Sequence, residues 1–265
     1  MKIVSWNVNS INVRHPNVVK FLKQVEPDIL LMQELKMTDE KFPREVFEDL
    51  GYNVATHGQK TYNGVAILSK HPIDEVITGL PFLIEGDEDE QSRYIEAVIS
   101  VGDEAIRVAS IYLPNGNPVD DGSDKYPYKL RWFDRLIAHA KQLLTYEEKL
   151  LLGGDYNIIP GDDDVWDAER WRGDALILPE TRAKFRRLQN LGFTDCFVTA
   201  VDEPHQYTFW DYQAGAWPKN HGIRIDHLLV SAQLADCLSK VQIESYTRDW
   251  EKPSDHVPIM ATFDL

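Results

Sequence analysis

The chain predicts an α/β fold in which two sheets pack face to face and helices flank them. Three observations carry that expectation. Roughly ten short segments read as strands and three or four as helices, from their apolar periodicity. The strands fall in runs that helices separate, the arrangement of packed sheets with helices outside. No Pro/Gly/Ser-rich linker divides the 265 residues, so a single domain spanning 1–265 is expected.

In order, Ile3 to Trp6 reads as a strand ending at Asn7, with Asn9 two residues on. Val18, Phe21, Leu22 and Val25 recur at helical spacing, and Pro27 stops that helix. Ile29–Met32 is a second strand with Gln33-Glu34 at its end. Phe47, Leu50 and Gly51 suggest a short helix with a glycine stop. Val65–Leu68 is a strand, and the acidic run Glu85 to Glu90 reads as a solvated loop. Ile95–Val101 and Ile106–Leu113 form a hairpin about Gly102-Asp103-Glu104. Trp132, Phe133, Leu136, Ile137, Ala140, Leu143 and Leu144 mark one face of a long amphipathic helix. Pro179 opens another helix, whose cations Arg182, Lys184, Arg186 and Arg187 suit either a solvated face or a phosphate contact. Tyr207–Tyr212 is aromatic and β-prone, Leu228–Val230 is a strand, and Val257, Ile259, Ala261 and Phe263 alternate as in a half-buried strand.

Composition bounds the function. Hydrophobic residues make up 43% and charged ones 27%, which argues against disorder. No apolar run is long enough for a transmembrane helix, and no membrane partner is expected. There is no signal-peptide layout, and Cys196 and Cys237 read as reduced thiols, so the expected location is the cytoplasm. The net charge of −15 speaks against binding nucleic acid through broad basic coverage. It does not exclude a nuclease, because a site that holds metal ions is itself acidic.

The chemistry centres on Leu150-Leu151-Leu152-Gly153-Gly154-Asp155-Tyr156-Asn157. An apolar strand stops at two glycines, and a carboxylate and a carboxamide follow two residues apart. Side chains at i and i+2 of an extended chain point the same way, so both could meet one ligand. An ordinary turn would look similar, but the design recurs. Asn7, Glu34, Tyr112, Asn115, Asp155, Asn157, Asp226, Asp255 and His256 all fall at strand ends. Their oxygens suit hard Mg²⁺ or Mn²⁺. A histidine with a buried Asp partner can serve as an oriented imidazolium beside a phosphate. The other seven histidines lack such a setting and read as structural or solvent-facing.

Trp6-Asn7-Val8-Asn9, Gln33-Glu34, Tyr112-Leu113-Pro114-Asn115, Gly154-Asp155-Tyr156-Asn157, Trp210-Asp211-Tyr212, Arg224-Ile225-Asp226 and Ser254-Asp255-His256 resemble, in order, the motifs of the exonuclease III family of apurinic/apyrimidinic (AP) endonucleases. The resemblance covers essentially the whole chain. It implies a four-layered α/β sandwich of two mostly antiparallel sheets, with the site at one end. Glu34 would ligate the metal, with Asn7 and Asp255 nearby, and one or two Mg²⁺ or Mn²⁺ ions would act. Asp155 would orient or deprotonate the attacking water, and Asn157 would help hold it and the phosphate. Tyr112 and Asn115 would contact the scissile phosphate or leaving group, and His256, oriented by Asp226, would bind a phosphate oxygen in the transition state. Phe209, Trp210, Ile223 and Ile225 would line a small pocket for a flipped, base-less sugar.

The implied activity is DNA repair: cleavage 5′ to abasic sites, with 3′→5′ exonuclease and 3′-end cleaning. The implied partner is double-stranded DNA with abasic sites or blocked 3′ ends, met by a monomer. Two readings compete. One is a superfamily phosphodiesterase, phosphatase or non-specific nuclease with another substrate. The other is a catalytically silent binding module, which would have no need of Glu34, Asp155 and His256 together.

Overall fold

The computed structural model describes residues 1–81 and 89–265. Its strands are β1 (Lys2–Asn7), β2 (Ile29–Gln33), β3 (Asn53–His57), β4 (Val65–Ser69), β5 (Ile73–Thr78) and β6 (Tyr94–Val101), then β7 (Glu104–Tyr112), β8 (Lys149–Asp155), β9 (Thr194–Asp195), β10 (Asp226–Val230), β11 (Leu238–Ile243) and β12 (Ile259–Phe263). Its α-helices are α1 (Ile11–Val25), α2 (Arg44–Glu48), α3 (Lys125–Leu143), α4 (Pro179–Gln189), α5 (Cys196–Ala200) and α6 (Ala232–Ala235). None of these helices is long and apolar enough to cross a membrane.

The strands form two six-stranded sheets, in the orders β11-β12-β1-β2-β4-β3 and β5-β6-β7-β8-β10-β9. Each sheet is antiparallel except for one central parallel pair, β1–β2 in the first and β7–β8 in the second. A parallel pair needs a long crossover, and α1 and α3 supply the two. Strand alternation then sorts the core into layers. Ile3, Ile29, Leu31, Ile67, Val108, Leu151 and Leu228 meet between the sheets. Val4, Trp6, Leu30 and Met32 face outward onto Ile11, Val18, Phe21 and Leu22 of α1. Ala109, Ile111, Leu150 and Leu152 do the same against Trp132, Phe133 and Leu136 of α3. Burying each such side chain is worth about 1.5–3 kcal/mol.

The two glycines do not stop β8, as the sequence suggested; the strand runs through them to Asp155. Their role is close approach. A Cβ on Gly153 would lie 2.8 Å from Leu31 Cδ1 of the facing sheet, and one on Gly154 would lie 2.0 Å from the Ile111 carbonyl oxygen. Tyr207–Tyr212 is not a strand either; Phe209 makes only isolated bridges, to Ile223 and His256. Of the expected solvated loop at Glu85 to Glu90, residues Glu85–Glu88 lie outside the described residues. Asp89 departs from the expectation, because its largely buried carboxylate pairs with Arg135 at 3.0 Å and accepts from the Tyr128 hydroxyl. On α4, Arg182 pairs with Asp162, and Lys184 and Arg187 with Asp134, so three of its four cations meet the protein's own carboxylates.

Candidate active site

The two parallel pairs deliver the centre. Their four strands point the same way within each sheet, and their carboxyl ends carry Asn7, Glu34 just beyond Gln33, Tyr112 and Asp155. Antiparallel neighbours begin where those strands finish. Asp226 opens β10 directly opposite Asp155, and Asp255-His256 precede β12, the partner of β1. Residues far apart in sequence therefore meet at one end of the sandwich.

Both central strands end in the same local turn. Asn7 Oδ1 accepts from Asn9 N at 3.0 Å, and Asp155 Oδ1 accepts from Asn157 N at 2.9 Å. The donors, Asn9 and Asn157, both adopt left-handed backbone, with φ of 43° and 48°. Asn tolerates that region better than most residues and is favoured in such turns. Asp155 and Asn157 thus reach the same site through a turn, and not as the i and i+2 positions of an extended strand.

Asn7 sits between two carboxylates. Its Nδ2 donates to Glu34 Oε1 at 2.9 Å and to Asp155 Oδ2 at 2.9 Å. Its Oδ1 accepts from Asn9 N, so Asn7 ties the two carboxylates to the turn that follows β1. Lys36 Nζ, 2.9 Å from Glu34 Oε2, also donates to Asn9 Oδ1. Burial alone would raise the Glu34 carboxyl, but Lys36 and the Asn7 amide hold it below its usual value. Asp255 is set to one side, where its Oδ1 accepts from Asn9 Nδ2 at 2.9 Å.

Glu34, Asp155 and His256 converge, with ligand atoms within 4.8 Å of one another. His256 Nδ1 donates to Asp226 Oδ2 at 2.8 Å, and its Nε2 lies 3.7 Å from Asp155 Oδ2. Burial would lower the imidazole, but Asp226 and then Asp155 override it and raise it to about 10. Asp155 itself is raised by burial, and Asp226 and Glu34 add to the rise while His256 opposes it. Glu34 and Asp155 bring carboxylate oxygens to one point, and with neighbouring Asp255 they form an acidic cluster that could hold an ion. That hard set fits Mg²⁺ or Mn²⁺. Tyr112 points its hydroxyl at Glu34, and burial, then Glu34 and Asp155, raise it well above its usual range.

Beside this centre lies a cavity of about 260 Å³, walled by Tyr112, Asn115, Asn157, Phe209, Ile223, Ile225 and Asp255 among others. Ile223 and Ile225 are buried, and Phe209 packs edge-on to His256 with centroids 4.9 Å apart. Trp210 does not reach the cavity. It packs on Tyr207, Trp217 and Val257, and its Nε1 donates to Asn220 Oδ1, because the irregular backbone turns it away from Phe209. Trp171 and Leu176 also line the cavity, beside Asn117, Asp174 and Asp211, and these two apolar residues carried no recognisable signal in the sequence. Lys36, Asn9 and Lys129 were also missed as site residues. The signal for Lys129 was available, since it stands three residues before Trp132 on the apolar stripe of α3.

Residues 4–256 match the endonuclease/exonuclease/phosphatase family. The chain is 35% identical over 273 residues to exodeoxyribonuclease III of Haemophilus influenzae, covering 99% of this chain and 100% of that protein. Its structure superposes on a 3′ phosphatase from Neisseria, solved with a product DNA hairpin, with a TM-score of 0.94 and 41% identity over 100% of both chains. It superposes equally completely on an AP endonuclease from Archaeoglobus fulgidus, with a TM-score of 0.93 and 35% identity.

Proposed function

The chain belongs to the endonuclease/exonuclease/phosphatase family, and from that premise we propose a metal-dependent DNA-repair phosphodiesterase that cuts 5′ to abasic sites and trims blocked 3′ ends. One observation carries the reading: Glu34, Asp155 and His256 converge within 4.8 Å at the rim of a cavity walled by Phe209, Ile223 and Ile225. Hydrolytic groups and a recess with an apolar wall of Phe209, Ile223 and Ile225 occupy the same end of the sandwich.

Each side chain has a task in an in-line displacement on phosphorus. Glu34 would hold Mg²⁺ or Mn²⁺, with Asp155 beside it. When bound, the ion neutralises charge on the phosphate oxygens. Asp155, its proton affinity raised by burial, accepts the proton of the attacking water. The His256 imidazolium, held by Asp226, faces the charge that develops on a non-bridging oxygen. Tyr112 stands beside the leaving group, and the Asn115 and Asn157 amides hold the phosphate. Phe209, Ile223 and Ile225 form the wall that would accept the flipped, base-less sugar.

The partner would be double-stranded DNA, met by one domain acting as a monomer in the cytoplasm. The likeness to a Neisseria 3′ phosphatase favours 3′-end cleaning as an activity in its own right. The test is a panel of a nicked duplex ending in a 3′-phosphate, an undamaged duplex and an inositol phosphate. Release of phosphate from the nicked duplex is expected, with at most slow digestion of the undamaged one. Hydrolysis of the inositol phosphate alone would replace this reading with a small-molecule phosphatase.

A further inference from the structure

The crossover helix α3 sends one charged side chain to the back of the site. Lys129 is fully buried, and its Nζ donates to the carbonyl oxygens of Asn157 at 2.7 Å and Asn115 at 2.9 Å. These residues follow β8 and β7, the parallel pair that α3 itself connects. The two amides interlock in front of the lysine: Asn115 Nδ2 donates to Asn157 Oδ1 at 2.9 Å, and Asn157 Nδ2 donates to Leu113 O at 2.8 Å. Gly116, at φ 89°, leaves the lysine its path, since a Cβ there would lie 2.7 Å from Lys129 Cδ.

Packing alone does not call for a lysine here. A methionine would fill the same stripe beside Trp132 and Phe133 without the cost of burying an amine. That cost is visible, because burial pulls the amine down to about 7 against the opposing fields of Asp174 and Asp155. Lys129 does not line the cavity, so any effect on the reaction passes through the residues it holds.

We propose that Lys129 is a positioning residue that fixes the backbones of Asn115 and Asn157 so that their amides meet the scissile phosphate. The inference rests on the phosphodiesterase reading above. Without the ammonium, two buried carbonyls lose their donor and the loops after β7 and β8 settle separately. The amides then meet the phosphate less well in the transition state, which lowers turnover.

The test is a double-mutant cycle on cleavage of an abasic duplex, with K129M, N115A and the combination. K129M is expected to lower kcat about tenfold, the loss of one buried hydrogen bond's worth of transition-state binding. KM should change by less than about twofold, as expected for an interaction made mainly in the transition state. In the N115A background the K129M factor should fall below half its value in the wild-type background. K129Q keeps a donor for one carbonyl, should fall between, and replaces K129M in the cycle if that variant does not fold. A K129M enzyme with wild-type kcat, or equal factors in both backgrounds, overturns the positioning role. A wild-type protein that cuts no DNA at all would overturn the phosphodiesterase reading instead.

Discussion

His256 Nδ1 lies 2.8 Å from Asp226 Oδ2, and this contact sets the charge of the centre. It keeps the imidazole protonated where a free histidine would be neutral, and it aims Nε2 at the Asp155 side of the cavity. Asp226→Asn removes the main source of that charge. The His256 pKa, followed by NMR, should then drop from about 10 toward its ordinary 6.5, and kcat should fall on the order of 10²-fold. An unchanged histidine titration would refute the assigned partnership.

The same contact has a stability consequence with a definite sign. The folded pKa of His256 is raised above 6.5 to about 10. Its contribution to stability is therefore fully present below pH 6.5 and is lost as the pH rises through about 10. Thermal unfolding of the wild type from pH 6 to 10.5 should show that loss, and Asp226→Asn should show a shallower one.

Asp155→Asn keeps the shape and the hydrogen-bond capacity of the side chain while removing its basicity. Turnover should fall by about 10²–10⁴-fold, with the melting temperature close to that of the wild type. Near-normal turnover in Mg²⁺ would take the base role away from Asp155.

Ile223 is buried and lines the cavity. Ile223→Ala should cost about 2–5 kcal/mol of stability. In the fraction that folds, abasic-site cleavage should weaken more than 3′-phosphate removal or metal affinity. Equal losses across all three would reduce Ile223 to a core residue.

Much of this was legible in the sequence, and the failures share a cause. The inner strands were recognisable, most of them as apolar runs and β12 by its alternation, although β12 is buried on both faces and not half-buried as that alternation suggested. The four strands that were not, β3, β5, β9 and β11, are the outer members of the two sheets. Edge strands bury less and carry charge, so β5 reads IDEVIT and β11 reads LSKVQI, without a clear period. The site residues at strand ends were legible because their types are specific to phosphate and metal chemistry. Trp210 was misjudged because a β-prone segment does not reveal which of two neighbouring rings faces the cavity. Lys36 and Lys129 act by holding other residues, and such contacts depend on tertiary placement.

Among the glycines, Gly154 and Gly102 separate packing from conformation. A Cβ on Gly154 would collide with the Ile111 backbone of β7, whereas one on Gly102, at φ 60°, meets nothing within 4 Å. Gly102→Ala should cost about 1–2 kcal/mol, the strain of left-handed backbone. Gly154→Ala should cost more than about 4 kcal/mol, since the parallel pair that carries Tyr112 and Asp155 must separate. Denaturant unfolding of both variants checks the order, and a milder effect at Gly154 would contradict the close approach of β7 and β8.

The most direct measurement is cleavage of a duplex oligonucleotide carrying one abasic-site analogue, in Mg²⁺ and in EDTA, beside an undamaged duplex. A single nick 5′ to the lesion, present in Mg²⁺, absent in EDTA and absent from the control at the same position, is the predicted result. Equal cutting of both duplexes would leave the carboxylate centre standing and remove the sugar pocket, and cutting that persists in EDTA would contradict the metal site centred on Glu34.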